Sequence, residues 1–159
     1  MINNDDGSEG NDTLTGDKAT NALSGLGGDD TIRGYAGNDV ITGGAGIDLL
    51  FGGVGEDRFV FAAANDSGTV KDTLDRINDF VSGKDMIDLS GIDADPATLA
   101  EDAFAYRGSL KFTGAGGEVR VNISGDNATV RLDIDGDKDS DMTIFVRGGA
   151  SLVETDFVL

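Results

Sequence analysis

Between residues 7 and 60 the chain sets one aliphatic or aromatic side chain every nine residues, at Leu14, Leu23, Ile32, Ile41, Leu50 and Phe59. Their flanking residues, among them Thr13, Thr31, Val40 and Thr42, favour extended backbone. Each site therefore predicts a three-residue β segment with one side chain in and two out, and the other six residues of the unit a turn. Two units close one coil of eighteen residues, and the apolar residues stack inside a solenoid. Toward the last units the outward positions also become apolar, at Leu49, Phe51, Val60 and then Phe61. Such a wall needs a cover, because an open β edge invites association. Downstream the pattern changes to short alternating runs, "DMIDLS", "GSLKFTG", "EVRVNIS", "ATVRLDI", "MTIFVRG" and "TDFVL". One short helix is expected over residues 96–104, with Asp95 as N-cap and Pro96 in its first turn. The expected class is all-β: a parallel β-roll over residues 1–62, with six nonapeptides at 7–60, capped by a β-rich domain over residues 63–159.

The positions between the apolar ones repeat as well. Position one reads Gly7, Gly16, Gly25, Gly34, Gly43 and Gly52; position four reads Gly10, Ala19, Gly28, Gly37, Gly46 and Gly55. Position six reads Asp12, Asn21, Asp30, Asp39, Asp48 and Asp57, so only the second unit departs, with Ala19 and Asn21. Glycine in these two columns permits a tight loop whose carbonyls turn toward a common centre. Because successive units face opposite ways, Asp12, Asp30 and Asp48 line one edge of the roll and Asn21, Asp39 and Asp57 the other. This register separates the segment from a disordered acidic linker, which its Gly/Asp-rich composition would otherwise suggest.

Charge sharpens the picture. The net charge of −18 would repel nucleic acid and anionic membranes, and would repel itself in a compact state, so something positive must offset it. There is no cysteine, which removes disulfides and Cys-based zinc sites. There is no histidine, which removes the His-Glu-x-x-His zinc motif and histidine-activated nucleophiles. No apolar run approaches the ~20 residues that span a bilayer. Met1 is followed by "INNDDGSEG" rather than by a signal peptide, so export would need an address elsewhere in the chain.

Adjacent coils of a β solenoid lie ~4.8 Å apart, and two oxygens at ~2.4 Å on opposite sides of a Ca²⁺ have the same separation. Aspartates and carbonyls are hard oxygen donors suited to Ca²⁺, whereas zinc would seek nitrogen or sulfur. The candidate ligand set is Asp12, Asp30, Asp39, Asp48 and Asp57, with the backbone around Gly25, Gly28, Gly34, Gly37, Gly43, Gly46, Gly52 and Gly55. Several ions are expected. They would be structural, with folding linked to their binding, because one interior side chain per half-coil buries little. A Gly-Gly-x-Gly-x-Asp nonapeptide is a known calcium-binding β-helix repeat. On "GLGGDDTIR", "GYAGNDVIT", "GGAGIDLLF" and "GGVGEDRFV", the segment resembles an RTX (repeats-in-toxin) parallel β-roll. The unit "GDKATNALS" is degenerate, and a weak or empty site is expected beside Asn21.

The segment "DRINDFVSGKDMIDLSGID", then "GSLKFTGAGGEVRV", "LDIDGDKDSDMTIFVRG" and "DFVL", resembles the C-terminal domain of serralysin-type secreted metalloproteases. That resemblance implies that Asp66, Asp75 and Asp85 complete calcium sites at the end of the roll. It is more distant to the R-modules of mannuronan C5-epimerases; the Gly-Gly-Glu-x-Arg-x stretch over residues 116–121 favours the protease-type cap. A chain without histidine cannot carry the zinc site of those proteases, so a non-catalytic module is expected. It is either part of a larger secreted enzyme or a separate protein built from the same unit. "DIDGDKDSD" over residues 133–141 begins like an EF-hand, but Lys138 and Ile144 occupy the places of its glycine and glutamate, so a hairpin turn is expected instead. The ending "ETDFVL" is by itself an edge strand. In the family it belongs to an uncleaved signal read by type I (ABC) export machinery.

The resulting expectation is a secreted, extracellular calcium module. It would leave the cell unfolded, fold on extracellular Ca²⁺, and stabilise or export an attached N-terminal catalytic domain such as a serralysin-like metalloprotease, with no nucleic-acid or membrane partner. The rival is a carbohydrate-binding module of a polysaccharide-modifying enzyme, whose roll would grip an acidic glycan such as alginate through Ca²⁺ or through Arg33, Arg58 and Lys71. An enzyme is conceivable only through carboxylate-pair chemistry such as glycoside cleavage, and the aspartates of the roll already have another use.

Overall fold

The computed structural model describes residues 3–96 and 102–159, which form two β-sheets. Of the fourteen strands among the described residues, the first nine alternate between the sheets, the next four all join the second and the last joins the first. They are β1 (Asn3–Ser8), β2 (Thr13–Thr15), β3 (Asn21–Gly27), β4 (Thr31–Ala36), β5 (Val40–Ala45), β6 (Leu49–Val54) and β7 (Arg58–Val60), followed by β8 (Arg76–Ile77), β9 (Met86–Asp88), β10 (Ala105–Tyr106), β11 (Glu118–Ser124), β12 (Asn127–Asp133), β13 (Met142–Arg147) and β14 (Phe157–Val158). The first sheet, in the order β1-β3-β5-β7-β9-β14, is parallel throughout. The second runs β10-β11-β12-β13-β8-β6-β4-β2, parallel except for the antiparallel pairs of β12 with β11 and β13.

One apolar residue per half-coil fills the space between the sheets. Leu14, Ile32, Leu50 and Ile77 stand in register on the second sheet, and Leu23, Ile41, Phe59 and Ile87 on the first. All eight are buried. The parallel β-roll expected from the nonapeptides is thus the architecture found, and it is all-β: among the described residues there is no α-helix, only three short 3₁₀ turns. None of these is long and apolar enough to cross a membrane.

β2 and β7 have the three residues expected, whereas β1 and β3 to β6 have six or seven. β4, for example, stays paired with β6 as far as Ala36, although Tyr35 at position two takes a left-handed φ of 74°. Position one can remain in the strand because its missing side chain leaves room for the carboxylate of its own coil. Neither sheet stops at Val60. "DRI" and "DMI", with Ile77 and Ile87 inside, restate the Asp-x-aliphatic element of the repeat, and β8 and β9 extend the two sheets by one strand each. β13 and β14 then pair with these strands, so roll and cap share one continuous apolar core.

The cap departs from expectation at two places. Residues 108–114 form turns and coil instead of a strand, because Gly108 and Gly114 take left-handed φ of 56° and 88° at its two ends. Phe112 is buried there while Leu110 is exposed. The helix expected over residues 96–104 lies largely on residues 97–101, outside the described ones, and Asp102 to Phe104 are not helical. Residues 134–141 join β12 to β13 as the loop of an antiparallel hairpin.

Candidate metal centre

Two ladders of carboxylates climb the turn edges of the roll. In the first, the N–H of Asp12 donates to Oδ1 of Asp30 (2.7 Å), that of Asp30 to Asp48 (2.8 Å), and that of Asp48 to Asp75 (2.9 Å). In the second, Asn21 donates to Asp39 (2.8 Å), Asp39 to Asp57 (2.9 Å), and Asp57 to Asp85 (3.1 Å). Each side chain thereby ties its own coil to the one before it. Asp75 and Asp85, placed here in sequence only by resemblance, continue the two ladders.

The second oxygen has a different environment. Oδ2 of Asp30, Asp39, Asp48, Asp57 and Asp75 is buried with no hydrogen-bond partner. A buried carboxylate oxygen without a partner is costly, and native structures rarely keep one without a reason. These atoms share their space with backbone carbonyls. A Cβ placed on Gly34 would collide with Oδ2 of Asp39 and lie 2.7 Å from the Gly52 carbonyl; one on Gly25 would collide with Oδ2 of Asp30 and with the Gly43 carbonyl. Position one therefore has to be glycine for a cleft lined by oxygens to exist. Position four is also constrained: at Gly37 φ is +111° and a Cβ would lie 2.5 Å from the carbonyl oxygen of Ala19. The carbonyls of Gly28 and Gly37 lie under Gly46 and Gly55 in the same stacked way.

Burial is the main force on the acidity of these groups. It raises Asp48 to about 7, Asp57 to about 6 and Asp75 to about 8, against the backbone hydrogen bonds that lower them and with repulsion from neighbouring aspartates adding. Asp30, Asp39 and Asp85 are raised for the same reason. Without a cation, the ladders resist carrying their full negative charge. The donor set of buried carboxylate oxygens and carbonyls fits a hard divalent cation and offers no nitrogen or sulfur.

The remaining candidates differ in detail. Oδ2 of Asp12 accepts from the Ser8 N–H (2.7 Å) and hydroxyl (2.8 Å), and Oδ2 of Asp85 from the Val81 N–H (2.8 Å). Asp66 is buried, accepts from the Ala62 and Ala63 amides (2.7 and 2.9 Å), and sits near enough to raise both Asp48 and Asp75. The Asn21 amide oxygen accepts from the Asp17 N–H (2.8 Å). Asp79 was not anticipated. Its two oxygens accept from the Gly52 and Gly53 amides (3.0 Å each), pinning the last coil, and its signal was the second aspartate of "DRINDF". In the β12–β13 hairpin, carboxylate oxygens of Asp133, Asp135 and Asp141 come within 4.8 Å of one another, but both oxygens of Asp133 already accept from Gly136 and Lys138.

Taken together, the ladders and the shared core define a parallel β-roll module with paired carboxylate edges. The chain belongs to the Peptidase M10 serralysin C-terminal family, whose profile matches residues 2–159. Among solved structures it is similar to the AlgE6R3 subunit of the Azotobacter vinelandii mannuronan C5-epimerase, with 30% identity and a TM-score of 0.68 over 96% of this chain and 80% of that one. The AlgE6R2 subunit of the same enzyme gives 26% identity and a TM-score of 0.67 over 100% of this chain and 92% of that one. Comparison with curated protein sequences returned no match.

Proposed function

We propose that the chain is a non-catalytic calcium-binding module of a secreted protein, which folds when it meets extracellular Ca²⁺. The observation that carries this reading is the row of five buried, unpartnered Oδ2 atoms beside backbone carbonyls. Asp30, Asp48 and Asp75 would hold ions along one edge and Asp39 and Asp57 along the other. Asp12, Asp66 and Asp85 would serve at the ends, and the glycine carbonyls of positions one and four between coils. Bound calcium supplies the positive charge that lets these carboxylates ionise in a buried place. Asn21 brings no charge to its place in the second ladder. If the ions form the site, hydrogen exchange of the Asp30, Asp39, Asp48 and Asp57 amides should slow many-fold when Ca²⁺ replaces chelator. Equal protection in both conditions would contradict it.

The C-terminus supports export before folding. Asp156 is buried, accepting from the Ser82 hydroxyl and the Gly83 amide (2.8 Å each), and Phe157 lies in the core as part of the edge strand β14. A signal read from "DFVL" by ABC-type export machinery would be legible only while the chain is unfolded. Coupling to Ca²⁺ would keep it so in a calcium-poor cytosol, and an attached N-terminal enzyme would fold beside the roll outside. Deleting residues 157–159 should leave the protein inside cells that carry a matching exporter; undiminished export would contradict this assignment.

A further inference from the structure

The six nonapeptide turns stand in two states, and the amide four residues before the position-six side chain tells them apart. In the first two turns this amide faces inward. The Ser8 N–H donates to Oδ2 of Asp12 (2.7 Å), joined by the Ser8 hydroxyl (2.8 Å), and the Asp17 N–H donates to the Asn21 amide oxygen (2.8 Å). In the other four, Oδ2 of Asp30, Asp39, Asp48 and Asp57 has no partner, and the residue at position two is left-handed: Leu26 with φ 73°, Tyr35 with 74°, Gly44 with 98° and Gly53 with 100°. Ser8 and Asp17 are not left-handed.

The carbonyl side of the cleft is built in both states. The Gly25 carbonyl oxygen lies 2.9 Å from a Cβ placed on Gly7, and that of Gly34 2.6 Å from one on Gly16, much as Gly52 stands to Gly34. What differs is the group that faces the position-six oxygen. In the first coil it is an amide proton, whose partial positive charge takes the place of a cation; in the later coils there is none. A change in the sign of φ at position two swings the rigid peptide that carries this N–H, and so withdraws the proton. Glycine takes left-handed backbone freely, whereas Leu26 and Tyr35 take it against the steric preference of L residues, with side chains 47% and 56% exposed that gain little packing in return. A costly conformation, found in the turns whose carboxylate oxygen is left free, points to a partner outside the protein's own hydrogen bonds.

We propose that the position-two amide is the gate of each nonapeptide calcium site: a left-handed residue there leaves the turn open to an ion, and any other lets the N–H seal it. The gate rests on the calcium reading of the ladders and adds an order of filling to it. Val81 and Ala62 make the same sealing bond to Oδ2 of Asp85 and Asp66 at the far end of the roll (2.8 and 2.7 Å). Ions therefore reach Asp30, Asp39, Asp48 and Asp57 first, and Asp12, Asp66 and Asp85 only at higher calcium, once the amide has turned away. Beside Asn21 the missing charge is half of the defect, and the sealing amide of Asp17 is the other half. Restoring a carboxylate there is not enough while Asp17 stays, because its own carboxylate already faces the Asn21 side chain.

The test counts the ions on the full chain by native mass spectrometry across a Ca²⁺ series, with folding checked by circular dichroism. Asn21→Asp alone should add no ion and Asp17→Gly alone none, whereas the two together should add one, at the calcium concentration that fills the open sites of the unaltered chain. Ser8→Gly, which frees the first turn to become left-handed, should bring on the last ion of the unaltered series at about ten-fold lower calcium, the worth of one hydrogen bond to a charged group. An added ion with Asn21→Asp alone, or none in the folded double variant, would overturn the gate and leave the calcium reading standing. Unchanged filling in Ser8→Gly would overturn it too, whether or not the double variant folds. An unaltered chain that takes up no calcium would overturn both.

Discussion

A single position-six aspartate shows how one side chain can serve both the fold and an ion. Oδ1 of Asp48 accepts the Asp30 amide, a bond asparagine can also make, whereas Oδ2 is buried with no partner and only a charge gives it a purpose. Asp48→Asn should therefore act in opposite directions in two conditions. In chelator it removes a buried charge, and the β signal in far-UV circular dichroism should rise or hold. In calcium it removes a ligand, and the concentration needed for half-folding should increase about ten-fold or more. Asn21→Ala should cost only about 1 kcal/mol through the lost bond to the Asp17 amide, with little change in calcium demand. Equal calcium shifts in the two variants, read by melts across a calcium series, would contradict the division into strong and weak positions.

At the scale of elements, the ladders titrate as rows. Unfolded carboxylates titrate near 4, but burial holds Asp57 at about 6, Asp48 at about 7 and Asp75 at about 8 in the fold. The metal-free fold thus keeps protons that the unfolded chain has released. Their contribution to stability is fully present below about pH 4 and is lost as pH rises through about 8. Asp88 and Glu118 act in the opposite sense. Burial raises both, but hydrogen bonds from Ser90 and Thr113, with the guanidinium groups of Arg58 and Arg107, lower them more, so their contribution is lost at low pH. In chelator, then, the β signal in far-UV circular dichroism should be greater at pH 5 than at pH 8; the reverse order would mean that the ladders are not buried as described. Much of this was legible in the sequence, because a nine-residue period fixes which residue faces in, which edge each aspartate takes and where glycine must stand. The last two rungs obey the same Asp-x-aliphatic rule, but they sit 27 and 28 residues after Asp48 and Asp57 instead of 18, so only resemblance could place them. The cap was less legible. In "GSLKFTG", alternation suggested a strand, but left-handed glycines at both ends win over it. Asp79 gave no periodic signal, since its partners are amides 26 and 27 residues earlier.

For the whole molecule, charge and topology have to be considered together. The eight residues stacked between the sheets make a thin core, while −18 of net charge opposes compaction and the roll concentrates part of it along two edges. The cap adds the antiparallel strands β11 to β13 to the same sheet and extends the apolar core, so the module should gain or lose structure as one cooperative body. The most direct test of calcium-driven folding is a Ca²⁺ titration of the chelated full chain followed by far-UV circular dichroism, with Mg²⁺ alongside. The account predicts a cooperative gain of β signal between roughly 0.1 and a few millimolar Ca²⁺, the range of extracellular calcium modules, and none with Mg²⁺. A chain already fully folded in excess chelator, or one folded equally by Mg²⁺, would contradict it.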